Sequence, residues 1–120
     1  MTKGDETLRP RDKLRLSKEF ARVYDEGTVF RTKRLALTVL EEDGLPRKAG
    51  FVAGRKAGGA VERARAKRLL RESYRRLKKY VKSQGIHLVF AAKVPGCELT
   101  YEIVKSDMEK LLRDAGLISS

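Results

Sequence analysis

A basic segment of 28 residues, 55–82, constrains the fold of this chain more than any other feature. Twelve of its residues are Lys or Arg and two are Glu, so it holds most of the net charge of +12. On a helical wheel its apolar or small residues occupy one side and most of its cations the other. This pattern predicts an amphipathic helix from about Ala60 to Ser83, with Gly85 just beyond its end. One face should pack on the protein while the other forms a continuous cationic surface.

The one-sided charge indicates the class of partner. A block of like charges repels itself unless a polyanion neutralises it, and the common biological polyanions are nucleic acids and acidic lipids. A merely solvated helix face is the alternative, but the charge is too one-sided to favour it. A membrane surface is disfavoured because the chain has no Trp and the apolar side of the helix is needed against its own sheet. We therefore expect a nucleic-acid partner and no membrane.

Composition limits the remaining possibilities. A chain of 120 residues with 41% hydrophobic residues is expected to form one domain with a modest core. We assign residues 1–13 to a flexible basic arm, 14–116 to the domain and 117–120 to a tail. The charged start Met1–Pro10 does not resemble a secretory signal, and no apolar run approaches the roughly 20 residues of a membrane span. The single Cys97 and single His87 leave little catalytic or metal-binding hardware, so we expect a cytoplasmic protein without a recognisable metal site.

Local signals predict the other elements. A first helix over Lys18–Glu26 would be capped by Ser17, and a last helix would begin after the cap Thr100 and end before Gly116. The strand predictions are residues 34–40, a return strand at 48–54 after a hairpin over Glu41–Arg47, a buried strand Ile86–Ala92, and an additional strand near Thr28–Arg31. The order α-β-β-α-β-α predicts an α+β two-layer sandwich with a central sheet of about four strands. Strands 48–54 and 86–92 should be parallel neighbours, with a right-handed crossover by general statistics.

The densest functional pattern lies at the start of the long helix. Gly54, Gly58 and Gly59 surround a basic loop and would let the backbone approach a phosphate. The helix start that follows supplies unpaired N–H groups and arginine side chains for anions. The predicted phosphate-binding cations are Arg55, Lys56, Arg63, Arg65, Lys67, Arg68, Arg71 and Arg75. This pattern predicts phosphate binding without distinguishing RNA from DNA.

Other candidate residues have simpler interpretations. Phe20 and Tyr24 share one helix face, where core packing and a ligand platform are both open. Tyr74 and Tyr80 are predicted to be core, His87 to be structural and Cys97 to be a loop thiol. The acidic run Glu41, Glu42 and Asp43 is interpreted as a charged hairpin tip rather than a metal site. No P-loop, zinc spacing or nucleophile elbow is present, so we predict that the polypeptide alone catalyses nothing.

These residues resemble a known family. The stretch AGFVAGRKAGGAVERARAKRLLRE, with the core Arg63-Ala64-Arg65-Ala66-Lys67-Arg68, is similar to the signature of the protein subunit of bacterial ribonuclease P. The resemblance extends upstream to LSKEFARVYDEGT and downstream to HLVFAAK and LTYEIVKSDMEKLL, and covers about residues 14–115. The combined spacing of glycines, basic residues and flanking helices is specific, although an R-x-R pair alone would be weak.

The resemblance implies an auxiliary role in tRNA maturation. In that family an RNA subunit removes the 5′ leader of precursor tRNA with Mg²⁺, and the protein binds this catalytic RNA and the leader. The resemblance therefore implies two partners, the catalytic RNA and precursor tRNA, with no obligate protein partner. It also implies a left-handed βαβ crossover, against the general statistics. The implied leader-binding residues, in a cleft between the first helix and the sheet, are Phe20 and Tyr24 with Arg15, Arg22 and, as a further neighbour, Lys56.

Two departures from the family pattern bear on the site. Ala64 stands where the family has a central Asn, which removes a hydrogen-bonding side chain and leaves the charge. Thr38 stands where the family often has an aromatic residue on the sheet face, so either the stacking surface is smaller here or Phe30 contributes to it. The competing interpretation is a basic structural protein of the ribosome, which shares the size, charge and fold class.

Overall fold

The structure, a computed structural model that describes residues 8–118, contains the predicted helices and strands. The elements are α1 (Ser17–Glu26), β1 (Thr28–Arg31), β2 (Leu35–Pro46), β3 (Lys48–Ala53), α2 (Ala60–Leu77), β4 (Gln84–Ala92) and α3 (Tyr101–Asp114). Short 3-10 turns occur at Pro10–Asp12, Arg55–Ala57, Lys78–Tyr80 and Gly96–Glu98. The α+β two-layer prediction and the additional strand β1 are both confirmed.

The strand order β1-β2-β4-β3 places β4 at the centre of the sheet. β4 pairs antiparallel with β2 and parallel with β3, which confirms the parallel neighbours. The predicted hairpin between β2 and β3 is wrong, since β4 lies between these strands. The reason is burial: the run Ile86–Ala92 is apolar on both faces and needs a strand on each side. The hand of the β3-α2-β4 crossover stays a prediction.

The turn signal that suggested a hairpin belongs to an irregularity inside β2. The register of β2 on β4 shifts between Glu41, opposite Ile86, and Pro46, opposite Gln84. Gly44 lies in this interruption with φ +92°, a left-handed conformation that glycine adopts at little cost. The Asp43-Gly44 pair therefore marks an irregularity within β2 and not a hairpin between β2 and β3.

One face of the sheet carries the main core beneath α2 and α3. Tyr74 of α2 lies with its ring centroid 5.7 Å from that of Phe51 and 5.6 Å from that of Phe90. Leu37 from β2 and Leu111 from α3 are fully buried beside them. Tyr74 is therefore core, as predicted. This layer fixes the position of α2 on the sheet, and hence of its outer face.

The opposite face is covered by α1 only in part. Leu14, Val23, Leu40 and Val89 form a small second cluster, against which Phe20 packs. An added Cβ at Gly50 would lie 2.4 Å from Cε1 of Phe20, so glycine is what lets the ring rest on β3. α1 is thereby held directly against the sheet.

The start of α1 differs from the prediction, whereas the start of α3 agrees with it. Ser17 does not cap α1; instead Oε1 of Glu19 accepts hydrogen bonds from the amides of Arg15 (3.1 Å) and Leu16 (3.2 Å). Thr100 does cap α3, as its Oγ1 accepts from the amide of Ile103 at 3.2 Å. The longer side chain of Glu19, in the first turn of α1, can accept hydrogen bonds from unpaired amides at the helix start. The sequence pattern did not distinguish this Glu from Ser17 as the capping residue.

The long helix ends six residues before the predicted Ser83. α2 stops at Leu77 and a 3-10 turn leads to Val81. Nη1 of Arg47 donates to the carbonyl oxygens of Lys78 and Val81, both at 3.1 Å. Since these carbonyls are satisfied from the β2–β3 connection, the chain can leave the helix there and enter β4.

The ends of the described chain pack more closely than a flexible arm and a tail would. Residues 8–13 lie along the domain, where Oδ2 of Asp12 is 3.3 Å from Nζ of Lys78 and the amide of Leu14 donates to Ala49 at 3.0 Å. Leu117 is buried, and its carbonyl accepts from the amide of Lys82 at 3.0 Å. Residues 1–7 and 119–120 lie outside the described residues.

Candidate nucleic-acid interface

The basic loop before α2 is a short turn that is anchored in the core by one buried residue, Ala57. Ala57 is fully buried, whereas Arg55 and Lys56, the two residues before it in the turn, are exposed. Gly58 has φ +95°, a conformation that a residue with a side chain would adopt only with strain. An added Cβ at Gly59 would meet nothing within 4 Å. The loop therefore presents two cations and an unobstructed backbone.

The exposed cations of α2 continue from this loop along one helix face. Lys67, Arg68 and Arg71 are all exposed. Arg63 is exposed as well, and its Nε donates to the carbonyl of Gly58 at 3.0 Å, which ties the loop to the first turn of the helix. Cations spaced over several turns of a rigid helix match the repeated charges of a nucleic-acid backbone.

Arg65 and Arg75 differ from the other predicted cations. Arg65 is half-buried and donates from Nε to the carbonyl of Gly96 (2.9 Å) and from Nη2 to that of Leu99 (3.0 Å). Arg75 is half-buried and paired with Glu72. Arg65 thus joins α2 to the turn before α3, a structural task that its place in the R-x-R pattern did not reveal.

The N-terminal segment widens the cationic face. A groove of about 380 Å³ runs between this segment and α2, lined by Leu8, Lys13, Arg68, Arg71, Glu72 and Arg75. A neighbouring groove of about 370 Å³ includes Arg9, Arg11 and Lys79 in its lining. Sequence analysis missed this addition, because the segment has no periodic pattern that would dock it.

Asp12 holds the segment in place through a largely buried ion pair with Lys78. Burial acts to raise the pKa of Asp12, but the hydrogen bond from the Arg9 amide and the charge of Lys78 outweigh it, so the pKa is lowered. The carboxylate therefore stays ionised at neutral pH and offsets one cation of this region.

On the opposite layer, Phe20 and Tyr24 lie on the sheet-facing side of α1. Phe20 is half-buried against Gly50 and belongs mainly to the core of this layer. Tyr24 is 52% exposed, and partial burial raises the pKa of its phenol. Of the two predicted stacking residues, Tyr24 is thus the one with an accessible ring.

Two of the cations near α1, Arg22 and Lys48, are paired with acids, whereas Arg15 is exposed. Arg22 pairs with Glu26 at 3.3 Å and with Glu42 on β2. Lys48 pairs with Glu19 at 3.3 Å. Burial acts to raise the pKa of Glu19, but the amides of Arg15 and Leu16 together with Lys48 outweigh it and lower the pKa.

Beside α1, part of the sheet face stays open. Ala36, Val52 and Ala91 occupy one row across β2, β3 and β4 and are only half-buried. Thr38 is buried in the adjacent row. Phe30 packs into the main core on the other side of the sheet, so it cannot supply stacking area here. The cleft is therefore lined by Ala36, Ala91 and Val52, and the exposed Tyr24 belongs to the neighbouring helix α1.

The structure also gives the exposure of three other candidate residues, Tyr80, Cys97 and His87. Tyr80 is 63% exposed, so its prediction as a core residue is wrong: the early end of α2 turns its ring away from the sheet. Cys97 is an exposed thiol in a turn, as predicted. His87 is buried, and among the described residues its Nε2 has no hydrogen-bond partner.

Residues 8–118 contain neither a metal-binding cluster nor a membrane-spanning helix. This part of the chain has no group of three or more His, Cys, Asp or Glu side chains that could hold a metal ion. It contains no helix long and apolar enough to cross a membrane. What the surface offers is phosphate-binding charge on one layer and a shallow cleft with an accessible ring on the other.

Comparison with known proteins agrees with this surface. The family described as Ribonuclease P matches residues 8–116. The ribonuclease P protein component of Alkaliphilus oremlandii is 34% identical over 109 residues, covering 91% of this chain and 95% of the relative. That of Symbiobacterium thermophilum is 37% identical over 100 residues, covering 82% and 86%. The structure of the Staphylococcus aureus RNase P protein has the same fold, with a TM-score of 0.77 at 19% identity over 90% of this chain and 98% of that one.

Proposed function

Because the chain belongs to the ribonuclease P protein family, we propose that α2 anchors it to the catalytic RNA and that the cleft beside α1 receives the 5′ leader of precursor tRNA. The chain is a protein component of an endonuclease that processes tRNA. The observation that carries the proposal is the cationic face that runs from Arg55 and Lys56 through Lys67, Arg68 and Arg71. These side chains are exposed on α2 and on the turn before it, and the other face of α2 is fixed in the core.

The RNA contact is predominantly electrostatic. Each phosphate neutralised by a cation releases counterions, so the logarithm of the affinity falls linearly with the logarithm of the salt concentration. With about six to eight phosphates in contact, the slope would be roughly −4 to −7, at 0.7–0.9 per phosphate. The loop backbone and the first turn of α2 add N–H donors to this surface.

The leader contact has a different character. Since Arg22 and Lys48 are paired with acids, they offer less charge to the leader phosphates than the exposed cations of α2 offer to the catalytic RNA. A single-stranded leader would instead place a base on the Tyr24 ring and lie over the half-buried row Ala36, Ala91 and Val52. The protein then contributes selectivity for a substrate that still has its leader.

The chemical step belongs, in this proposal, to the RNA subunit. Mg²⁺ would be held by the RNA, and the polypeptide would act in the cytoplasm by orienting the two RNAs. Its similarity to ribonuclease P proteins leaves the ribosomal alternative without support.

The direct test is cleavage of a precursor tRNA by the catalytic RNA from the same source, at low Mg²⁺, with and without the protein. We expect a strong increase in rate only when both are present. A variant with Arg68→Ala and Arg71→Ala should lose most of this increase, whereas one with Lys33→Ala and Lys110→Ala, which removes equal charge elsewhere, should retain it. No increase with folded wild-type protein, while the RNA is active at high Mg²⁺, would contradict the proposal.

A further inference from the structure

We propose that a second groove, between the end of α2 and the outer side of α3, binds an unpaired nucleotide of the catalytic RNA by stacking its base on Tyr80. This inference rests on the proposed function for the identity of the RNA. The groove has a volume of about 520 Å³ and includes Arg76, Tyr80, Tyr101, Lys105, Arg113 and Ile118 in its lining. That volume lies within the range of about 300–1,000 Å³ typical of small-ligand sites.

The first argument is the exposure of Tyr80. A tyrosine ring that is 63% exposed buries little apolar area for the fold, although it lies next to the well-packed residues Leu77 and Val81. The 3-10 turn Lys78–Tyr80 directs the ring outward, and Nζ of Lys79 lies 5.4 Å from its centroid. An exposed ring beside a cation is the arrangement on which bases of single-stranded nucleic acids stack.

The second argument is the charge around that ring. Arg76 and Lys79 come from the α2 side, and Lys105 and Arg113 from α3, where they lie two turns apart on one stripe. Glu109 is the carboxylate in the lining and pairs with Lys105 at 3.6 Å, and Nε of Arg76 lies 3.7 Å from Oε2 of Glu72 on the same helix. The excess of cations favours a phosphate-bearing ligand, and the aromatic ring favours its base.

Together these features select an unpaired nucleotide over a duplex. In a duplex the bases are stacked inside and only the backbone is presented, so an exposed ring would gain nothing. A loop or bulge can extend one base onto the ring while its flanking phosphates contact the cations. A protein partner would have to bury several strongly hydrated lysines, which are depleted at protein interfaces.

The position of the groove identifies which RNA it meets. Tyr80 lies three residues beyond the end of α2, on the same side of the sheet as the cationic face, so one RNA can contact both. The leader cleft lies on the opposite side of the sheet, under α1. The catalytic RNA is therefore the RNA within reach of Tyr80, and the leader is not.

The test is equilibrium binding of the catalytic RNA alone, without substrate, at one fixed salt concentration. We expect Tyr80→Ala to weaken binding about five- to tenfold and Tyr80→Phe, which keeps the ring, to bind within about twofold of wild type. Because the side chain is exposed, neither change should unfold the protein. Arg113→Gln should weaken binding and reduce the salt slope by about 0.7–0.9, whereas Lys110→Gln, an equal charge loss one turn away on α3 and outside the groove, should do neither.

A crosslinking experiment identifies the contact. A photoreactive phenylalanine derivative at position 80 should crosslink to an unpaired nucleotide of the catalytic RNA in the assembled enzyme. Crosslinks only to precursor tRNA, to paired nucleotides or to a second protein copy would overturn the proposal. Wild-type binding by Tyr80→Ala would also overturn it, while leaving the proposed function intact if wild type still stimulates leader removal. Failure of wild type to bind the RNA would overturn both.

Discussion

α1 and α2 are both amphipathic helices on the same sheet, but their outer surfaces are built differently. Beside α1, Arg22 pairs with Glu26, and Lys48 of β3 pairs with Glu19 of the helix. The face of α2 exposes Lys67, Arg68 and Arg71 in succession. One layer is thus suited to a contact that depends on ring and shape, and the other to one that depends on charge. The difference means that salt should separate the two binding events.

The largest effect should come from removing charge on α2. Replacing Arg68 and Arg71 by Ala should lower the affinity for the catalytic RNA by about 30-fold or more and reduce the salt slope by about 1.4–1.8, since two phosphate contacts are lost. A salt titration of binding measures both quantities. The variant with Lys33→Ala and Lys110→Ala is the charge-matched control. If both variants had the same slope, net charge rather than the α2 face would control binding.

The next largest effect should be a loss of stability where α1 packs against the sheet. Gly50→Ala would bring a Cβ within 2.4 Å of the Phe20 ring and force α1 outward. We expect a loss of about 1–3 kcal/mol in the free energy of unfolding, as for overpacking in general. Gly54→Ala is the control, because an added Cβ there meets nothing within 4 Å. Denaturant unfolding measures the free energy of unfolding of both variants. If Gly50→Ala were as stable as Gly54→Ala, α1 would be able to shift on the sheet without cost.

A smaller effect is expected at Tyr24. Tyr24→Ala should weaken binding of leader-bearing precursor tRNA by the assembled enzyme about fivefold, in line with the loss of one stacking contact, and leave mature tRNA binding unchanged. Phe20→Ala should also weaken leader binding, but at a cost of about 2 kcal/mol or more in stability, because that ring is part of the core. Equal losses on precursor and mature tRNA for Tyr24→Ala would argue against a leader contact at this ring.

The smallest effect should be a pH dependence from His87. Burial lowers its pKa, and the nearby charges of Glu19, Lys48, Arg22 and Glu42 partly offset one another. The imidazole of the unfolded chain becomes protonated near pH 6.5, whereas that of the folded protein stays neutral to lower pH. The free energy of unfolding should therefore fall as the pH drops below about 6.5. The acids with lowered pKa, such as Asp12 and Glu19, act only at lower pH, near and below their ordinary values.

This pH effect can be isolated because the chain has a single histidine. His87→Gln removes the titrating group while keeping a polar side chain. Its free energy of unfolding should be flat between about pH 7 and pH 5.5, where that of wild type declines. Parallel curves for the two proteins would place the origin of the decline elsewhere.

The sequence by itself determined the elements and the location of the charge. The apolar stripe of α2, the buried run of β4 and the Thr100 cap were readable because each is a local pattern with one structural solution. The cationic loop and helix followed from residue types at fixed spacing. The family was also recognisable from these residues, since several motifs recur together along the chain.

Only the tertiary structure decided what distant segments do to one another. Because β4 lies between β2 and β3, the predicted hairpin is instead an irregularity within β2 around Gly44. Arg47 ended α2 early by binding the carbonyl oxygens of Lys78 and Val81, and this exposed Tyr80. These outcomes depend on contacts between residues 30 or more positions apart in sequence. A periodic pattern reports which face of a segment is apolar, but not which other segment will meet it.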